Sequence, residues 1–191
     1  MGLKEKWDNI FSQADVKNIS ANEVLQQNAH LLPSSGRVLD LACGLGGNAL
    51  LLAQAGLETY AWDISAVALS RLQSAAYEAD LSISTLARDV QANPPEPDSF
   101  DVIVVGHFLY RPGFNALIDA LRDNGLLFYQ TFTREKVNQS GPSNPDYLLE
   151  RNELLERCSG MNILVYREEG KQGDSGLGWR NQAMIVAQKT H

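Results

Sequence analysis

The chain has 191 residues, 44% hydrophobic and 20% charged, which suits one domain with a single core. Its 16 basic and 23 acidic side chains leave a net charge of -7, with no lysine or arginine cluster to offset it, so a nucleic acid is excluded as the expected partner. Two cysteines, Cys43 and Cys158, make neither a disulfide framework nor a metal-ligand spacing, so no metal is expected.

No apolar run approaches the roughly 20 residues of a membrane span. The charged start, Met1 to Lys6, lacks the apolar stretch of a signal peptide, and position 6 lacks the Ser or Thr of a myristoylation pattern. These features point to the cytoplasm.

Residues 1–35 read as a helical cap segment, and residues 36–191 as the main domain. In the first segment, Ser20-Ala21-Asn22-Glu23 has capping-box spacing ahead of Val24, Leu25, Ala29 and Leu32, and Pro33 to Gly36 break the helix. Val38 to Leu41 is a short buried strand. Asn48 to Ala55 is a helix stopped by Gly56. Thr59 to Trp62 is a second strand ending at Asp63, and Ser65 caps a helix through about Ala79. Ser82 to Ala87 is a third strand, ending near Asp89.

Pro94, Pro95 and Pro97 then require a loop. Phe100 to Val105 is an apolar run interrupted only by Asp101, as suits a central strand buried on both faces. A helix from Phe114 to Arg122, a strand from Leu126 to Thr131 and a helix from Leu148 to Cys158 follow. Strands Asn162–Tyr166 and Ala183–Gln188 flank a glycine-rich loop. Such alternation predicts an α/β, doubly wound, Rossmann-like sheet that is mostly parallel with helices on both faces. Ligands of such sheets sit at the carboxyl ends of the strands.

Those strand ends hold the candidate residues. Gly44 and Gly46 allow a tight turn and close approach of a ligand, and the helix starting near Asn48 points free amides forward. The spacing also fits a dinucleotide fingerprint, so glycines alone leave a nicotinamide cofactor open. Asp40 precedes the first glycine by four positions, where a pyrophosphate disfavours an anion and a ligand bearing an ammonium and a sulfonium welcomes one. Asp63 can accept from ribose hydroxyls. Asp89 can accept from an adenine amine while the amide of Val90 donates to the ring.

Together Val38 to Ala49, Ala61 to Ser65, Phe100 to Ile103 and Asn124 to Leu127 resemble a class I S-adenosylmethionine-dependent methyltransferase over about residues 36–190. The Gly47-Asn48-Ala49 helix start, Thr131-Phe132-Thr133 and Gly141 to Pro145 are similar to the small bacterial tellurite-resistance and thiopurine-type branch. The resemblance implies a seven-stranded sheet whose last strand runs antiparallel. It implies S-adenosylmethionine held by Asp40, Ala42, Gly44, Gly46, Asn48, Asp63, Ile64, Asp89, Val90 and His107. Leu45 stands where the family often has an acidic or polar residue.

The acceptor is expected to be a small molecule, a thiol or a chalcogen oxyanion. His107, after the fourth strand, is a candidate base or a packing residue; Arg134 and Arg180 are candidate anion clamps. Tyr110 and Trp179 complete the expected rim, with Trp7 and Phe11 closing over it. Cys43 reads as small filler, and His30 and His191 carry no chemistry. A nicotinamide-dependent oxidoreductase is disfavoured by Asp40 and by the lack of a Tyr-x-x-x-Lys pair. A non-catalytic S-adenosylmethionine binder stays open.

Overall fold

A computed structural model describes residues 2–15 and 19–190. Met1, part of the cap segment at 16–18, and His191 therefore lie outside the described residues. Among the described residues, seven strands form one sheet: β1 (Arg37–Leu41), β2 (Glu58–Asp63), β3 (Ile83–Ala87), β4 (Phe100–Gly106), β5 (Leu121–Phe132), β6 (Asn162–Glu168) and β7 (Gln182–Gln188). Their order is β3-β2-β1-β4-β5-β7-β6. The first five are parallel, and β7 runs antiparallel to both β5 and β6.

Among the described residues, six α-helices accompany the sheet: α1 (Leu3–Gln13), α2 (Glu23–Asn28), α3 (Gly47–Gln54), α4 (Ala66–Glu78), α5 (Phe114–Ala120) and α6 (Glu153–Arg157). The apolar run of β4 is split between the two faces. Ile103 and Val105 join Phe114, Tyr129 and Leu149 on one side, while Val102 and Val104 join Val24, Leu25 and Phe128 on the other. That double burial is what a central parallel strand requires. Ser65 caps α4 as expected, its hydroxyl accepting from the Ala68 amide at 3.2 Å. Gly56 ends α3 in the left-handed region, at φ 81°.

Three boundaries differ from the sequence reading. Ser20 does not cap the second helix; Asn22 occupies that position and turns its side chain toward other partners. The helix from Phe114 ends at Ala120, because Leu121 already pairs with Phe100 and a register shift then carries the chain to Leu126 opposite Val102. The expected helix from Leu148 begins only at Glu153. Leu149 instead bridges Thr133 in parallel, and Asn152 takes a left-handed φ of 62° that sets the helix start.

Candidate active site

The strand order reverses between β1 and β4, so the loops leaving these two neighbours diverge and open a crevice. Ala42 leaves β1 at φ 55° and His107 leaves β4 at φ 55°. Such conformations are costly for non-glycine residues and concentrate at functional sites. The cleft between these exits has a volume of about 670 Å³, within the roughly 300–1,000 Å³ usual for small-molecule sites.

Its floor is the turn 42–48, its sides are Asp63, Ile64, Asp89 and Val90, and its roof is the Leu3, Trp7 and Phe11 face of α1. Gly44 is needed twice, for φ 52° and because a Cβ there would lie 3.1 Å from the Phe11 ring. Asp63, nearly buried, accepts from the Gly44 amide and the Ser65 amide, both at 2.8 Å. Burial raises its carboxyl above the usual range, opposed by the amides of Ser65, Gly44 and Ile64. Gly44 and Ser65 donate to different oxygens, Oδ2 and Oδ1. Asp89 is half-buried and accepts from the Gln91 amide at 3.0 Å.

Asp40 does not line the cleft. It is fully buried, and its oxygens accept from the Asn48 side chain at 3.1 Å and the Ala49 amide at 3.0 Å. It therefore fastens the first turn of α3 to β1 rather than facing a ligand. Burial pushes its carboxyl up to about 7. Cys43 lies at the cleft, but burial and the neighbouring Asp40 and Asp63 raise its thiol well above the ordinary range, consistent with filler rather than a nucleophile.

His107 lines the cleft with both ring nitrogens engaged, by Asn22 at 3.1 Å and Gln182 at 2.9 Å. Two chains of hydrogen bonds fix its tautomer. The Asn22 backbone amide donates to Asn48 Oδ1, so Asn48 Nδ2 donates to Asn22 Oδ1, and Asn22 Nδ2 faces His107 Nδ1. The Val24 amide donates to Gln130 Oε1, so Gln130 Nε2 donates to Gln182 Oε1, which in turn accepts from His107 Nε2. Together the two chains place a proton on Nε2 and leave Nδ1 as an acceptor. The ring also stacks on Phe132, with centroids 4.8 Å apart. No ring nitrogen is left for a substrate proton.

The expected arginine clamp does not assemble at the cleft. Arg134 pairs with Glu150 at a separate surface depression. Arg180 donates to the carbonyls of Leu177, Gly170 and Asp174 and organises its own loop. Tyr110 and Trp179 are not among the cleft residues either; Trp179 packs against the core and under Arg167. Sequence reasoning passed over Asn22, Gln130 and Gln182. Gln130, a glutamine inside an apolar strand, was the available signal, since a buried amide needs partners. Asn22 carried no such signal, because its role depends on contacts 26 and 85 residues away.

Residues 38–125 match the methyltransferase domain family. The segment resembles the core of class I methyltransferases, whose methyl donor is S-adenosylmethionine. No curated protein matches. Among solved structures, TehB from Haemophilus influenzae is similar with 23% identity and a TM-score of 0.75, over 96% of this chain and 67% of that one. A protein of echinomycin biosynthesis, associated with conversion of a disulfide bond into a thioacetal group, gives 18% and 0.74, over 99% and 93%. A TehB-like S-adenosylmethionine-dependent methyltransferase from Corynebacterium glutamicum gives 16% and 0.64, over 97% and 95%. At these identities the likenesses establish the fold.

Proposed function

We propose that the enzyme transfers the methyl group to a small molecule whose nucleophile is a thiol or a chalcogen oxyanion, with residues 36–191 as the catalytic domain and residues 1–35 as its cap. The observation that carries this reading is the roofed cleft, which combines the strand-end carboxylates Asp63 and Asp89 with the turn at Gly44 under α1. Asp63 receives the donor's ribose hydroxyls, Asp89 and the Val90 amide its adenine, and the turn 42–48 its methionine end. Asp40 and Asn48 hold that turn in place, and Ile64 and His107 pack alongside. The donor, when bound, supplies a methyl carbon activated by a sulfonium.

The cleft fits such a donor. A cation is welcome beside Asp63 and Asp89, and the apolar side chains suit a nucleoside's flat faces. A soft anion needs no base to attack carbon, which agrees with a His107 whose nitrogens are committed. Sulfur chemistry is also the context of the echinomycin protein. A net charge of -7 and a roof over the cleft disfavour polyanionic macromolecules.

Calorimetry with S-adenosylmethionine, S-adenosylhomocysteine and NAD side by side tests the donor assignment. S-adenosylhomocysteine is expected to bind in the micromolar range, about -7 to -9 kcal/mol, and to raise Tm. Saturable NAD binding without a response to S-adenosylhomocysteine would overturn it.

A further inference from the structure

The cap segment enters the cleft where two glycines leave room for it. A Cβ on Gly47 would lie 2.1 Å from the Ser20 carbonyl oxygen, and a Cβ on Gly106 would lie 1.9 Å from Asn22 Oδ1. Both approaches are far inside contact distance, so these positions stay bare while residues 20–22 keep their place. Gly47 opens α3 after β1, and Gly106 ends β4. Residues 20–22 are therefore lodged between the two exits that part where the strand order reverses, and Ser20 and Asn22 line the cleft.

Asn22 makes the polar contacts of this junction. It is the N-cap of α2, where an asparagine ordinarily turns its oxygen to the helix's own amides. Here its side chain makes no such bond. Instead Oδ1 accepts from Asn48 Nδ2 at 2.9 Å, and Nδ2 stands 3.1 Å from His107 Nδ1. Turning the amide over would set donor against donor at Asn48. Asn48 cannot answer by turning as well, because its Oδ1 accepts the Asn22 backbone amide and its Nδ2 also reaches Asp40. The orientation of Asn22 is thus imposed from α3 and handed on to the His107 ring.

We propose, on the methyl-transfer reading above, that Asn22 is a positioning residue of the donor site, acting through Asn48 and His107 rather than by capping α2. Its Oδ1 holds the Asn48 amide, which with Asp40 keeps the first turn of α3 and the preceding turn 42–48 in place for the donor's methionine end. Its Nδ2 keeps His107 bare at Nδ1 and packed at the exit of β4.

The test compares the full chain with Asn22→Ala, Asn22→Ser and Asn22→Asp, by calorimetry with S-adenosylhomocysteine and by nitrogen NMR of His107 without ligand. Asn22→Ala is expected to raise the Kd about tenfold, as the loss of a well-placed hydrogen-bond pair would. Serine caps helices as well as asparagine does but is too short to reach both partners, so Asn22→Ser should leave the Kd raised. Asn22→Asp keeps the shape and the acceptor toward Asn48 but turns a second acceptor to His107 Nδ1. The ring can then satisfy that carboxylate and Gln182 together only with both nitrogens protonated. The spectrum near neutral pH should therefore show a bare Nδ1 in the wild type and two protonated nitrogens in Asn22→Asp. A Kd within about twofold of wild type in Asn22→Ala, or one restored by Asn22→Ser, overturns the proposal and leaves the residue a helix cap. A His107 spectrum indifferent to Asn22→Asp overturns it too, even should Asn22→Ala fail to fold. In all these cases the donor reading stands. Failure of S-adenosylhomocysteine to bind the wild type overturns that reading and the proposal with it.

Discussion

At the scale of single residues, position in the sequence and role in the fold part company most clearly at Asp40 and His107. Both stand where a ligand contact is expected. Asp40 is sealed behind Asn48 and the Ala49 amide, and His107 is held between Asn22 and Gln182. The hydrogen bonds join them into one network, from Asp40 through Asn48 and Asn22 to His107, then through Gln182 and Gln130 to Glu23. It ties β1, α3, the start of α2, β4, β5 and β7 together at the edge where the cleft opens. A general base contributes about 10²–10⁴-fold to turnover. His107→Ala is therefore expected to lower kcat less than about tenfold with a thiol acceptor. Steady-state kinetics decide the matter, and a loss beyond about a hundredfold would restore the histidine as the base.

At the scale of elements, the strands and their aspartate ends were legible because their signals are local. Period, apolar run and glycine stop lie within a few neighbours of one another, as in β4 and at Gly56. The misjudged ends depend on distant partners. Leu121 leaves its helix for Phe100, and Leu149 leaves its helix for Thr133. The arginines failed as ligand candidates for the same reason, since carboxylates and carbonyls elsewhere had already claimed them. The cap was legible as helix but not in its anchorage. Asp8 of α1 accepts from the Ser65 hydroxyl at 2.6 Å, while that hydroxyl accepts from the Ala68 amide. Arg71 of α4 donates to the Phe11 carbonyl. These bonds fasten the roof to the N-terminal end of α4, for α1 has no buried residue of its own. Asp8→Ala removes the acceptor of the Ser65 hydroxyl and should raise the open population of α1 several-fold. Trypsin cleavage after Lys4 and Lys6 reports this, and an unchanged cleavage rate would mean that α1 is held by other contacts.

At the scale of the whole molecule, the segments that leave β4 and β5 are held together by an ion cluster on Glu153. Glu153, at the start of α6, takes a bidentate contact from Arg111 at 2.7 and 2.8 Å and a further one from Arg157 at 2.7 Å. Arg111 also donates to the carbonyls of Asp146 and Leu148. One carboxylate thus joins the segment after β4, the loop after β5 and α6. Burial alone would raise its pKa, but Arg111, the Glu150 amide and Arg157 outweigh burial and lower it from 4.5 to about 2. A pKa lowered on folding means that the native state holds the proton less tightly than the unfolded chain. The stabilisation is therefore complete above 4.5 and is lost as pH falls through about 2. Removing one partner of such a pair leaves buried charges unanswered, at a cost of about 3 kcal/mol. For a chain of this length Glu153→Gln should lower Tm at neutral pH by roughly 6–12 °C. The difference from wild type should narrow steadily as the pH is taken below 4.5 toward 2, because protonation then does to the wild type what the substitution does to the variant. Calorimetric melts of both proteins across that range measure the gap. A gap that stays constant down to the lowest pH would show that Glu153 acts through packing rather than charge.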